Sequence, residues 1–142
     1  MHRMPIESLR DRLVSLLEPC ESIRLAVLFG SHARGEATGT SDVDLGFVLE
    51  DDAPGDFLFR LEGRIGSELS TEVDTIDLRK APALLRFEIS RDGVLLVERE
   101  EGAWTGFKVR AWTDWWDWQP TFRRMGEIAH ESLRKEIDRG SA

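Results

Sequence analysis

Apolar positions along this chain repeat in two different ways. Ile6, Leu9, Leu13 and Leu16 recur at helical spacing, with Arg10, Asp11 and Arg12 between them. That spacing predicts a helix over residues 5–19, which Pro19 ends. Residues 23–29, Ile-Arg-Leu-Ala-Val-Leu-Phe, form a short apolar run that predicts a strand. In residues 42–50 the pattern alternates: Val43, Leu45, Phe47 and Leu49 lie on one face of a second strand, Asp42 and Asp44 on the other. Asp51-Asp52-Ala53-Pro54-Gly55-Asp56 is rich in turn formers and reads as a loop. Leu58, Leu61, Ile65 and Leu69 restore the helical stripe. Gly63 and Gly66 weaken that helix and suggest close approach to the sheet. Residues 72–78 predict a third strand. Pro82 suits the first turn of a third helix carrying Leu84, Leu85 and Ile89, and Asp92-Gly93 stops it. Val94-Leu95-Leu96-Val97 is a fourth, short strand.

After Glu101 the pattern changes. All five tryptophans (Trp104, Trp112, Trp115, Trp116 and Trp118) fall in this last part of the chain. Phe107, Ala111 and Trp115 again keep helical spacing. Pro120 interrupts, and a charged helix carries on to about Ile137. The fold class is α+β, with one domain in two parts. Residues 1–100 form the αβ unit; residues 101–142 are a helical, Trp-rich extension packed on it. Part of the tryptophan cluster is expected to pack on the core and part to meet a partner chain.

At 142 residues, with 41% apolar and 32% charged residues, the chain has the makeup of one globular domain with a real core. Its net charge of −8 argues against sequence-independent binding of DNA or RNA, which needs a basic surface. A nucleotide substrate stays possible, because metal ions neutralise phosphates locally. Cys20 is the one cysteine, so no internal disulfide framework exists; it is expected in the core near the end of the first helix. No run reaches transmembrane length and no signal-peptide core stands at the N-terminus, so a soluble cytoplasmic protein is the expectation.

The chemistry concentrates between Leu28 and Leu45. Gly30-Ser31 follows the first strand directly, and Asp42-Val43-Asp44 comes after ten intervening residues. A Gly-Ser turn offers backbone N–H groups and a hydroxyl where a phosphate can be held. Asp42 and Asp44 project together, and two such carboxylates repel unless a cation sits between them. Hard oxygen ligands of this kind suit Mg²⁺. Arg34 is a further candidate for phosphate contact, and Ser41 stands directly before the first carboxylate; Gly30, Ser31, Arg34 and Ser41 are the candidate nucleotide-binding residues. His32 reads as a local hydrogen-bonding residue.

Together these residues resemble the signature of the polymerase-beta-like nucleotidyltransferases, GS-x10-DxD, with no departure in spacing. The resemblance continues through Val73-Asp74-Thr75, the Ala81-Pro82 helix, the Gly93 turn and the last strand. It covers roughly residues 5–98 and looks like the minimal nucleotidyltransferases, the MNT (MntA-type) antitoxins of HEPN–MNT pairs. His32 departs from it, since arginine is common there. The resemblance implies a small mixed, largely antiparallel sheet flanked by helices. It also implies two Mg²⁺ ions, ATP as nucleotide, and a third metal-binding carboxylate on a neighbouring strand. Asp74 is favoured for that role. Asp77 is its rival, and the two cannot serve in the same way because residues three apart on a strand face opposite sides.

Catalytic and metal-binding candidates are thus Asp42, Asp44 and Asp74. The implied activity is AMP transfer from ATP to a tyrosine of a cognate HEPN ribonuclease toxin, which would make the chain a protein adenylyltransferase and an antitoxin. The toxin is the implied partner, with homo- or hetero-oligomers through the C-terminal helices. Two alternatives stand beside it. One is a small-molecule nucleotidyltransferase of the aminoglycoside type. The other is a non-catalytic binding antitoxin, against which the intact carboxylate set speaks.

Overall fold

The computed structural model describes residues 6–118 together with 120 and 124. Seven elements follow in the order α1 (Ile6–Leu17), β1 (Ile23–Phe29), β2 (Val43–Leu49), α2 (Phe57–Leu69), β3 (Val73–Asp77), α3 (Ala83–Asp92) and β4 (Val94–Glu98). A further helix, α4, covers residues 103–118. The expected charged helix running to Ile137 lies outside the described residues.

The four strands form one sheet in the order β3-β2-β1-β4. β1 runs antiparallel to both β2 and β4, and β2 runs parallel to β3. The sheet is therefore mixed and largely antiparallel. The parallel pair follows from the connection: α2 carries the chain back across the sheet so that β3 starts at the same end as β2.

Alternation along the strands sends side chains into two cores. Ala26, Leu28, Val43, Leu45, Phe47, Val73 and Leu96 pack with Leu9, Leu13 and Leu17 of α1 and Leu61 and Ile65 of α2. On the other face, Leu25 and Val27 pack with Leu78, Ile89 of α3, and Phe107 and Ala111 of α4. Phe47 is fully buried. Truncating such a residue costs about 3–5 kcal/mol, so this first face dominates stability. Cys20 is half-buried against the same core, its Sγ donating to the Leu16 carbonyl at 3.6 Å.

α4 reaches the second face through aromatic contacts. Phe87 of α3 stacks on Trp115 at 5.2 Å and meets Trp112 edge-on at 5.5 Å. Arg86 donates to Asp114 at 2.7 Å, tying the same two helices. The outer side of α4 stays open: Val109 is 60% and Trp116 63% exposed, with Trp112 and Trp118 also exposed.

Several local expectations need correction. Pro82 is the residue before α3, not in its first turn: it is extended, at φ −61° and ψ 156°. Gly93 ends α3 without a left-handed turn, at φ −65°. A side chain there is excluded by space instead, because a Cβ would lie 2.5 Å from the Ile89 carbonyl and 2.8 Å from Val27. Gly63 approaches nothing, and Gly66 faces the Thr71 carbonyl, not the sheet. Close approach to the sheet occurs at Gly46, where a Cβ would lie 2.5 Å from Leu78.

Candidate active site

The site forms where β1 ends and β2 and β3 begin. Phe29 is the register partner of Asp44 on one side, and Asp74 is its partner on the other. Residues in register on neighbouring strands face the same way. Asp44 and Asp74 therefore share the face covered by α3 and α4. Asp42 sits one residue before β2 and is exposed, while Asp44 is half-buried within it.

The charges of Asp42 and Asp74 both act on Asp44. Asp44 is pushed above the ordinary carboxylate range by burial first, then by the charges of Asp74 and Asp42. His32 and Arg34 pull it partly back. Burial and like charge act in the same direction, so the ionised form carries a free-energy cost.

Gly30 makes room for this arrangement. It holds φ +78°, in the left-handed region. A Cβ there would collide with the Asp44 carboxylate oxygen. Both facts require glycine at the end of β1. The following residues close a single helical turn: Arg34 N–H donates to the Gly30 carbonyl at 3.2 Å and Glu36 N–H to the Ser31 carbonyl at 2.9 Å. Gly35, at φ +72°, ends it. Among the described residues the Ser31 hydroxyl makes no hydrogen bond within the chain, so it is available to a ligand at this turn.

The other candidates have intramolecular partners. Arg34 pairs with Glu36 at 3.0 Å and is partly exposed. Ser41 Oγ accepts from the Thr38 N–H at 2.8 Å and shapes the loop before Asp42. Asp77 is in register with Phe47, on the face opposite Asp74. Its carboxylate accepts the Arg79 N–H at 2.9 Å, as a residue ending a strand and starting a turn does.

Two contributions were not legible in the motif. His32 Nε2 lies 3.2 Å from the Ser41 carbonyl, so its ring N–H fastens the Gly-Ser turn to the loop that delivers Asp42. Asp92, at the end of α3, is held below the usual carboxylate range by its hydrogen bond from Arg91, with Arg34 adding to the effect. The His32 contact closes the β1–β2 connection on itself, and only the weaker influence of Arg34 on Asp92 joins segments remote in sequence.

Among the described residues, no three His, Cys, Asp or Glu side chains form a ready-made metal cage. Mg²⁺ does not require one, since it binds through one or two carboxylates plus substrate phosphates and water. The donor set fits: all three acids offer hard oxygen ligands, and the ionised form of Asp44 is disfavoured by the charges of the other two.

The family model described as "Polymerase beta, Nucleotidyltransferase" matches residues 11–102, well over half of the chain. The chain belongs to the polymerase beta nucleotidyltransferase family. Protein adenylyltransferase MntA of Shewanella oneidensis is 30% identical over 84 residues, covering 58% of this chain and 60% of that protein. The match thus spans less than two thirds of that relative. A solved minimal nucleotidyltransferase is 31% identical, with a TM-score of 0.56 over 66% of this chain and 98% of its own. A toxin–antitoxin structure with AMP-PNP gives a TM-score of 0.74 at 22% identity, over 85% of this chain and 98% of the matched chain. A tri-AMPylated Shewanella oneidensis HEPN toxin in complex with an MNT antitoxin gives 0.70 at 20% identity, over 88% and 98%. The nucleotidyltransferase fold is common to them all. No helix among the described residues is long and apolar enough to cross a membrane.

The raised Asp44 pKa has a signed consequence. A carboxyl whose folded pKa exceeds its unfolded value favours the native state at low pH, and that contribution is lost as pH rises through the folded pKa. Without divalent cations, Asp44→Asn should therefore melt higher than the native chain near pH ~7, and the gap should close toward pH ~4. Calorimetry of both proteins in EDTA checks this. A variant that melts lower at both pH values would contradict the electrostatic reading.

Proposed function

We propose that this nucleotidyltransferase moves AMP from ATP to a tyrosine of a partner HEPN-type toxin and thereby acts as its antitoxin. The observation that carries the proposal is the register pairing of Asp44 with Asp74, with Asp42 just before β2 and the Asp44 carboxylate packed against Gly30 of the Gly30-Ser31 turn. The resemblance to MntA, and to complexes that contain a nucleotide analogue or an AMPylated toxin, supports the choice of nucleotide and acceptor.

In this reading Gly30 and Ser31 seat the phosphates, with backbone N–H groups and a free hydroxyl pointing at the ligand. Arg34 swings from Glu36 to a phosphate oxygen. Asp42 and Asp44 would hold two Mg²⁺ ions, with Asp74 completing one of them. Bound there, Mg²⁺ would neutralise the triphosphate and lower the pKa of the acceptor hydroxyl. The tyrosine hydroxyl gives up its proton to water, its oxygen forms a bond to the α-phosphorus, the bond to the bridging oxygen breaks, and pyrophosphate leaves. The side chains contribute position and fixed charge.

Three features of the chain bear on the acceptor. It contains no tyrosine, so it cannot modify itself on that residue. Its acidic balance offers no broad basic track for a nucleic-acid primer. The exposed side of α4, with Val109, Trp112 and Trp116, supplies an apolar surface for a partner.

Intact-mass measurement of the chain mixed with ATP, Mg²⁺ and a HEPN protein encoded beside it should show AMP added to the partner. Asp42→Asn with Asp44→Asn should abolish the addition. Transfer to an aminoglycoside in its place would favour the small-molecule alternative. Asp74→Ala should lower kcat by ~100-fold or more with little change in ATP binding, and Asp77→Ala should stay within about threefold. The reverse order would exchange their roles. Trp116→Ala with Trp118→Ala should weaken co-elution with the partner on a sizing column while sparing ATP binding; unchanged elution would remove α4 from the interface.

A further inference from the structure

The strand that bears Asp74 is short and poorly supported. β3 has five residues and a strand neighbour on one side only, β2. Edge strands of this length fray easily, because half of their backbone groups lack a ladder partner. Mobility there would be costly at Asp74, whose carboxylate must share a point with Asp44.

Glu62 of α2 answers this weakness. One of its carboxylate oxygens, Oε2, accepts two hydrogen bonds from Thr75, the backbone N–H at 3.1 Å and the hydroxyl at 2.9 Å. The N–H belongs to the peptide unit attached to the Asp74 Cα. Fixing that plane fixes the direction in which the Asp74 side chain leaves the strand. The hydroxyl bond fixes Thr75 itself toward α2, and by alternation Asp74 then points to the opposite face, where Asp44 lies. Both bonds are charge-assisted and correspondingly strong. Val73, on the same side as Thr75, is buried in the core with Leu61 and Ile65 of α2, which anchors the helix that presents Glu62.

We propose that Glu62 is a positioning residue for Asp74: it clamps the backbone of the edge strand so that the third carboxylate faces the other two. It touches neither nucleotide nor metal. The inference rests on the nucleotidyl-transfer reading for its functional consequence, while its structural core is independent of that reading.

The experiment compares the native chain with Glu62→Ala, Glu62→Gln and Thr75→Val. Glutamine can place its amide oxygen where Oε2 sits and keep both bonds in weaker, uncharged form. Valine keeps the shape of threonine and loses only the hydroxyl bond. Hydrogen exchange of the 73–77 segment should be about tenfold faster in Glu62→Ala and near native in Glu62→Gln, with Thr75→Val between them. The Asp74 carboxyl resonance, followed by ¹³C NMR with Asp74→Asn as the assignment control, should need at least ~5-fold more Mg²⁺ to shift in Glu62→Ala in the presence of a non-hydrolysable ATP analogue. In AMP transfer, Glu62→Ala should lose about tenfold in kcat at saturating ATP, with KM within about twofold and rescue by Glu62→Gln.

A uniformly loosened protein, with exchange accelerated equally in β1, would reduce Glu62 to a general stabiliser and overturn the proposal. So would native kcat or a native Mg²⁺ midpoint in Glu62→Ala. If the native chain itself transfers no AMP, the proposed function fails. The exchange and Mg²⁺ readouts then still decide whether Glu62 governs Asp74.

Discussion

Like charge at the end of a half-buried sheet is the constraint around which this fold is arranged. Asp44 lies inside β2 with Asp74 beside it in register and Asp42 just before it. Burial and repulsion both oppose its ionised form. The surroundings are built to tolerate this. Gly30 removes a side chain that would occupy the carboxylate's space, and His32 and Arg34 place positive potential nearby. The structure thus holds an unfavourable arrangement in place with contacts made elsewhere, above all the dense core between the first sheet face and α1 and α2. A cation bound between the carboxylates, as proposed for Mg²⁺, would relieve this repulsion.

Most elements were legible because their apolar patterns were strong. β1 matches its predicted span, and β2, β3 and β4 differ by a residue or so at their ends. The two-residue repeat of β2 explains why: each apolar position had one face to occupy, and slipping by one would have exposed Leu45 and Phe47. Glycine was the least legible residue. Gly30, Gly46 and Gly93 are required by close approach, whereas Gly63 meets nothing. Sequence spacing cannot distinguish these cases, since the excluding atom belongs to a remote segment: Asp44 for Gly30, Leu78 for Gly46.

The candidate site was legible in one dimension and hidden in the others. GS-x10-DxD marks residues whose neighbours in sequence are also neighbours in space, because β1 and β2 are adjacent antiparallel strands. Asp74 and Asp77 were ambiguous for the opposite reason. Their segment alternates poorly, and only pairing with β2 separates them: Asp74 aligns with Asp44, Asp77 with Phe47. His32 reaching the Ser41 carbonyl and Glu62 reaching Thr75 had no sequence signature at all. Such supporting contacts join segments brought together by the fold, so they become visible only with coordinates.

The two faces of the sheet divide labour in a way that bears on how a partner could be served. One face is sealed by α1 and α2 and carries the larger core. The other bears the carboxylates at one end, while α3 and α4 cover the rest through Leu78, Ile89 and Phe107. The exposed aromatic side of α4 therefore belongs to the helix layer that flanks the carboxylates. A partner docked on that helix would lie on the side of the sheet from which an acceptor can reach Asp44 and Asp74. Docking energy gathered on tryptophans would then be spent on orienting one hydroxyl, which is how remote binding lowers an activation barrier without new chemistry. This division also places Glu62 on the face away from the carboxylates. The group that aims Asp74 is half-buried on α2, on the side opposite the carboxylates.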